Sequence, residues 1–339
     1  MRALVTGGAG FIGSHVAAEL CRRGYRVTVL DDLSGGFREH VPVEATFVEG
    51  SITDAAVVDA LFASRRFVYV FHLAAHAAEG LSHFIRRFNY TNNLIGSVNL
   101  INAAINYGVK AFVFTSSIAV YGVGPVLPVT EDTPPHPEDP YGIAKLAVEQ
   151  DLLASKQMFD LDFIVFRPHN VFGERQNIGD RYRNVVGIFM NQTLMGEPMT
   201  IFGDGTQTRA FSYIEDVAPV IAESVENPVA YNHIFNIGAD RPYAVNDLAK
   251  EVAATMGVPL RVTHLPPRQE VHDIYSSHAK VRAIFGERTP VGLTAGLERM
   301  AHWVRQQGAR RSKPFEGIEV AKNLPPIWET TVGPSTRRS

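Results

Sequence analysis

The sequence predicts a doubly wound α/β fold, and three observations carry that expectation. Short apolar runs alternate with helical patterns through the first half, the runs are apolar throughout, and a glycine triplet stands between the first run and the first helix. Helices on both faces of a parallel sheet leave its strands no polar side, so continuous apolar runs are their signature. In order, the strand candidates are Ala3–Thr6, Val27–Leu30, Ala45–Val48, Val68–Leu73, Ala111–Thr115 and Phe163–Phe166. The helical candidates between them are Phe11–Arg23, Asp54–Ala63, Phe88–Tyr107 and Tyr141–Phe159.

After about residue 170 the pattern loosens, with a strand at Thr200–Phe202 and helices at Ile214–Glu226 and Val245–Met256. The expected organisation is a dinucleotide-binding domain over 1–170, a smaller lobe mainly over 171–308, and a tail over 309–339. Phe211–Asn236 could return to the first sheet. The tail is basic and Pro-rich (Arg310-Arg311-Ser312-Lys313-Pro314, Pro325-Pro326), which predicts loose packing and a disordered end.

The chain has 339 residues, 45% hydrophobic and 20% charged, an ordinary globular composition. Thirty-two basic against 35 acidic residues give a formal charge of -3, no cationic field for nucleic acid or anionic lipid. A single cysteine, Cys21, excludes an intrachain disulfide framework and a multi-thiolate zinc site, and fits a reducing cytoplasm. Apolar runs fall short of the roughly 20 residues that cross a bilayer. Met1 leads straight into a strand with no stretch like a cleavable signal, so a cytoplasmic protein is expected.

Gly7, Gly10 and Gly13 follow the first strand and open the first helix. The first permits a tight turn, the second lets backbone approach a pyrophosphate, and the third lets helix pack on strand, as in a Rossmann-type dinucleotide site. The second strand runs into Asp31, within the distance of about 20 residues at which an acid meets the adenosine ribose. A carboxylate there favours NAD over NADP. Ser34, Gly35 and Gly36, just beyond, are candidates to close over the phosphate or to form a plain turn, and Asp32 beside Asp31 is a further candidate for the cofactor.

Tyr141 and Lys145 lie four residues apart at a helix start, so both project from one face. A phenol titrates near pH 10, and a cationic neighbour is expected to lower it toward a working base. Thr115, Ser116 and Ser117 gather hydroxyls at the carboxyl end of an apolar strand, where open α/β sheets bind ligands. Ser117 there could hold a substrate hydroxyl beside Tyr141.

The glycine triplet, His72-Leu73-Ala74-Ala75, the Thr115–Gly122 segment, Tyr141-Gly-Ile-Ala-Lys145 and Arg167-Pro168-His169-Asn170-Val171-Phe172-Gly173 occur in that order. Together, over residues 1 to about 308, they resemble the extended short-chain dehydrogenase/reductase family, specifically its nucleotide-sugar epimerases and dehydratases. The resemblance implies that Gly7, Gly10, Phe11, Ile12, Gly13 and Asp31 hold NAD, and that Ser51 and Ile52 flank adenine. It further implies that Leu73, Ala74, Ala75, Asn93, Thr115 and Pro168 line the cofactor's path. Tyr141 would be the base, Lys145 would also bind the nicotinamide ribose, and Ser117 would share the proton relay. Asn170, Arg209 and Arg268 would meet the diphosphate of a UDP-sugar, while Arg268-Gln269-Glu270 stands where the usual pattern is Arg-x-Gly-Asp.

The same resemblance orders the possible reactions. Dehydratases like this chain place Asp-Glu just before Val-Tyr-Gly and decarboxylases a Glu, whereas here the positions are Ile118 and Ala119. The expectation is therefore 4-epimerisation of a UDP-hexose through a transient 4-keto sugar. A decarboxylase or 4,6-dehydratase taking its acid from elsewhere, such as Glu79, is the alternative, and a non-catalytic NAD-binding sensor a second. Thr115 and Ser116 with Arg181 or Arg183 would suit a 6-carboxylate, which tilts the expected sugar to UDP-glucuronate over UDP-glucose, the alternative being that these arginines merely pair with Asp180 or solvent. His72 and His76 have ligand spacing but no acidic or thiol partner, so no metal is expected. His169 either packs on nicotinamide or fills space. A homodimer through the Phe88–Tyr107 and Tyr141–Phe159 helices is expected from the family's habit.

Overall fold

The computed structural model describes residues 1–122, 126–268, 270–312 and 314–329. Fourteen strands lie among them: β1 (Arg2–Thr6), β2 (Arg26–Asp31), β3 (Thr46–Glu49), β4 (Tyr69–His72), β5 (Ala111–Thr115), β6 (Asp162–Pro168), β7 (Val171–Phe172), β8 (Met199–Phe202), β9 (Thr208–Ala210), β10 (Ser212–Tyr213), β11 (His233–Ile237), β12 (Pro242–Ala244), β13 (Val262–Leu265) and β14 (Asp273–Ile274). Seven of them form one sheet in the order β3-β2-β1-β4-β5-β6-β11, all pairs parallel. The segment after Phe211 thus does return to the first sheet, as its last strand. Four smaller pairings lie outside that sheet, including β13 on β8 and β9 between β12 and β14.

Consecutive side chains explain why the strands carry no polar face. Val5, Val29, Phe71, Val113 and Ile164 enter one apolar layer, while their neighbours Leu4, Leu30, Val70, Phe112 and Phe163 enter the other. Both layers are covered by helices. Chain order reverses between β1 and β4, and ligands bind in the crevice that opens beyond the carboxyl ends of strands at such a point.

Helices α1 (Phe11–Arg22) and α2 (Ala55–Arg65) match expectation to within two residues. The long helix foreseen over Phe88–Tyr107 is in fact three pieces. These are α4 (Arg86–Tyr90), a π-helical turn at Thr91–Ile95 and α5 (Gly96–Asn106), preceded by the short α3 (Glu79–Ser82). A π turn slips the register of the ladder, and such turns cluster at functional sites. Here Asn93 within it reaches the main chain of His76 at 2.7 Å, and Asn89 before it donates to Pro140 O at 2.8 Å. Helix α6 (Pro140–Phe159) is started by Asp139, whose Oδ1 accepts from Tyr141 N and Gly142 N at 2.9 Å, with Pro140 in the first turn. Downstream, α7 spans Val185–Leu194, α8 spans Ile214–Glu223 and α9 spans Val245–Met256. The helix expected to Glu226 stops at Glu223 and finishes as a 3-10 turn over Ser224–Glu226.

The tail is not loose where it is described. Leu324 and Trp328 are buried with Ala78, Leu81 and Ile85, and Phe315 and Ile318 pack against the same cluster. Glu319 accepts from the amides of Arg87 and Phe88 at 2.8 and 2.9 Å, and its own amide donates to Phe84 O. Composition marked this segment as polar and Pro-rich, yet a few aromatic anchors suffice to dock it on α3 and α4. The foreseen disordered end falls at 330–339, outside the described residues.

Candidate active site

One long cleft opens beyond the carboxyl ends of β1, β4 and β5. Its first half is made of main chain. Gly7 holds φ +71°, and a Cβ there would stand 2.6 Å from Ala74 N; a Cβ on Gly13 would stand 2.1 Å from Gly7 O. Gly10 caps α1 without a side-chain acceptor, so the first-turn amides face the cleft with the helix dipole behind them. Asp31 accepts from Ala9 N at 3.0 Å through one oxygen and from Leu33 N at 2.8 Å through the other, bracing both loops. Asp32 Oδ1 accepts from Ser34 N at 3.0 Å. Gly7, Gly10, Phe11, Ile12, Gly13, Asp31, Asp32, Ser34 and Gly35 all stand on the wall, joined by Gly36, where a Cβ would come within 2.5 Å of Ala9.

The second half is made of side chains. Thr115, Ser116 and Ser117 leave β5 at the cleft floor, and the Thr115 and Ser116 hydroxyls are buried with no partner among the described residues. Ser117 Oγ accepts from Ala119 N at 3.1 Å and so shapes the turn over Ile118–Tyr121. Tyr141 enters from the first turn of α6, 6% exposed. Lys145 follows one turn on, its Nζ donating to Thr115 O at 2.8 Å and lying 5.7 Å from the Tyr141 ring centre. The glycine cradle, the bare helix start and the unpartnered hydroxyls together fit a dinucleotide with its ring over β5.

The expected lowering of the phenol by Lys145 is not met in this state. Burial first, and the Glu79 charge second, push Tyr141 above its ordinary range, with the Ser117 hydroxyl pulling the other way. Burial draws Lys145 itself down to about 7, opposed by Glu149.

Leu73, Ala74, Ala75, Pro168, Asn170, Ile52 and Arg183 are on the wall as expected. Asn93 is not: it is buried behind the wall, where it accepts from His76 N and donates to Asn89 Oδ1 at 2.7 Å, while Asn92 faces the cleft. Ser51 turns to the Thr53 hydroxyl at 3.0 Å, leaving Gly50 and Ile52 on the surface. Arg209 stands back, donating to the main-chain oxygens of Thr208 at 2.8 Å, His272 at 2.6 Å and Val271. Arg268 stacks 4.6 Å above the Phe202 ring and pairs with Glu270 at 2.9 Å. Arg183 lies beside Gly35 and pairs with Asp180 at 2.6 Å, and Arg181 bonds Ser312 Oγ at 3.0 Å. His72 spends both ring nitrogens on the Thr6 and Ser97 hydroxyls at 2.8 Å. His169 stacks on His278 and bonds Ala210 O, so it fills space.

Sequence reasoning missed Gln176, buried on the wall with both amide atoms unpartnered among the described residues, and no spacing announces it. The pairing of Arg183 with Asp180, one of the two sequence readings of that loop, is the one the structure holds.

A main-chain dinucleotide cradle and a buried Tyr–Lys–Ser set sharing one cleft at a sheet's switch point define a dinucleotide-dependent enzyme. The family model described as "NAD dependent epimerase/dehydratase family" matches residues 3–238, and the chain belongs to that family, with NAD as its cofactor. The UDP-glucose 4-epimerase of Mycolicibacterium smegmatis is 34% identical over 316 residues, covering 91% of this chain and 99% of that protein. Among solved structures, UDP-glucose 4-epimerase from Thermotoga maritima with UDP-glucose is 38% identical with a TM-score of 0.87, over 91% of this chain and 99% of that one. UDP-glucuronic acid 4-epimerase from Bacillus cereus, with UDP-glucuronic acid and NAD, is 27% identical with a TM-score of 0.82, over 91% and 100%.

Proposed function

We propose that this chain is a UDP-sugar 4-epimerase acting on an uncharged hexose, interconverting UDP-glucose and UDP-galactose. The observation that carries the reading is the convergence of Ser117, Tyr141 and Lys145 on a wall whose neighbouring positions, Ile118 and Ala119, hold no acid. Tyr141, aided by Ser117, takes the proton of the sugar's 4-hydroxyl. NAD, when bound, accepts the carbon-4 hydride and returns it. Because burial and Glu79 raise the phenol, its ionisation requires positive charge beside it, which the oxidised cofactor would supply and to which Lys145 adds only in its protonated form. With no carboxylate at positions 118 and 119 to draw the carbon-5 proton, the 4-keto sugar turns and Tyr141 returns the proton on the opposite face, with no net redox change.

The tilt toward a 6-carboxylate loses its footing here. Arg181 is engaged by Ser312 off the cleft wall, and Arg183 is neutralised at short range by Asp180. Both the more similar relatives act on UDP-glucose by name. Exposed Ile143, Leu153, Met158 and Phe159 on α6, with Ile95 and Tyr107 flanking α5, support a homodimer through these helices.

The test is to incubate the NAD-loaded protein with UDP-glucose in deuterated water and follow the sugar by NMR. UDP-galactose with protium kept at carbons 4 and 5 is expected. Deuterium at carbon 5 or a 6-deoxy-4-keto product overturns the reading.

A further inference from the structure

Glu79 is the carboxyl group on the cleft wall whose side chain has no partner among the described residues. Its main chain is fixed on every side. Ala78 and Leu81, which flank it, are buried in the cluster with Leu324 and Trp328; Glu79 O accepts from Ser82 Oγ at 2.6 Å. A Cβ on the next residue, Gly80, would stand in ordinary contact with the Trp328 ring at 3.5 Å and with Arg268 Nη1 at 3.6 Å, which places this turn beside both. The side chain is left exposed to the cleft, with no hydrogen bond or ion pair among the described residues. The other nearby carboxylates are committed: Asp139 to the start of α6, Asp180 to Arg183, Glu270 to Arg268.

Its electrostatic neighbours locate it. On one side it acts on Tyr141, whose phenol it raises. On the other it feels Arg209 and Arg268, the cations of the second lobe. A hexose with carbon 4 at Tyr141 and its diphosphate toward those arginines spans the same interval, so Glu79 flanks the sugar ring. A carboxylate in that place accepts hydrogen bonds from ring hydroxyls and repels a second carboxylate brought beside it.

We propose that Glu79 is the residue that sets sugar specificity, holding a hydroxyl of a neutral hexose and excluding hexuronates by charge. The assignment rests on the UDP-sugar reading above and concerns binding, not the hydride or proton steps. It is a rejection device as much as an attraction, since a neutral wall would admit both sugars.

The test is calorimetric titration of the NAD-loaded protein in a Tyr141→Phe background, which removes turnover, with UDP, UDP-glucose and UDP-glucuronate at about pH 8. UDP-glucose should bind at least about tenfold more tightly than UDP-glucuronate, a difference of about 1.4 kcal/mol. Glu79→Gln should bring the two within about threefold, mainly by tightening UDP-glucuronate, while leaving UDP and NAD unchanged. Glu79→Asp, which keeps the charge, should keep the discrimination and weaken UDP-glucose. A ratio that Glu79→Gln leaves unaltered, or an equal change in UDP itself, overturns the assignment while the UDP-sugar reading stands. Failure of every UDP-sugar to bind overturns both.

Discussion

The two halves of the cleft are built from different materials. The dinucleotide half is main chain: glycines that admit no Cβ, and the uncapped start of α1. The half proposed for the sugar is side chains drawn from β5, α3, α6 and the loop around Asp180 and Arg183. A backbone site tolerates almost no change in its own residues, whereas a side-chain site can be retuned one residue at a time. That difference predicts which substitutions abolish function and which merely change the substrate.

The largest expected effect separates the halves completely. Tyr141→Phe removes the proton acceptor and should lower turnover of UDP-glucose about 10²- to 10⁴-fold, with NAD affinity unchanged by fluorescence titration. Equal loss of NAD would mean that the halves are not separable at this residue. Gly13→Ala should do the reverse. Its new methyl would meet Gly7 O at 2.1 Å, so α1 has to shift, at about 3 kcal/mol. NAD affinity and thermal stability should fall together, and a protein that binds NAD normally would break the contrast.

The same contrast explains which features the amino-acid order discloses. Glycine identity and spacing constitute the dinucleotide site, so Gly7, Gly10, Gly13 and Asp31 are legible from the chain alone. The strands are legible because both faces of the sheet are buried and every residue has to be apolar. The π turn at Thr91–Ile95 is not, since its cause is tertiary: Asn89 reaching Pro140 and Asn93 reaching His76. Resemblance alone puts Ser51 and Asn93 on the wall, and local hydrogen bonds turn them away. The tail misleads most, because composition averages over twenty residues while its docking depends on Phe315, Leu324 and Trp328.

That docking gives a third, smaller expectation. Trp328 is 3% exposed and packs edge-on against Phe84, Tyr182 and Phe202. Trp328→Ala in a full core would cost about 3–5 kcal/mol, but a terminal segment can detach, which caps the loss at its own docking energy. The expected result is faster proteolysis within 314–329 and a KM for UDP-glucose raised roughly tenfold, with NAD affinity intact. A cooperative drop in melting temperature with no change in KM would place the tail in the main core instead.

The smallest effect is a titration, and its sign follows from how Glu79 is placed. Desolvation by the cleft walls, although the side chain faces the open cleft, raises its carboxyl from 4.5 to about 7, with Asp139 at the start of α6 and Glu270 adding to the rise, and Arg209 on β9 and Arg268 after β13 opposing it. Tyr141 on α6, itself raised, stays protonated throughout, and His76, drawn down to about 4 by burial, stays neutral. A raised carboxyl binds its proton more readily in the folded than in the unfolded chain, so its share of stability falls as pH rises from 4.5 to about 7. Its charge is complete only above that window. Discrimination against UDP-glucuronate should therefore be strongest near about pH 8 and shrink several-fold by about pH 6 as Glu79 takes up its proton. UDP-glucose serves as the control for every other charge near the diphosphate, because it carries the same diphosphate diester and no carboxylate. Measured as a ratio to UDP-glucose, the trend should vanish in Glu79→Gln, and a trend that survives that substitution would assign the charge filter to Asp139 or Glu270.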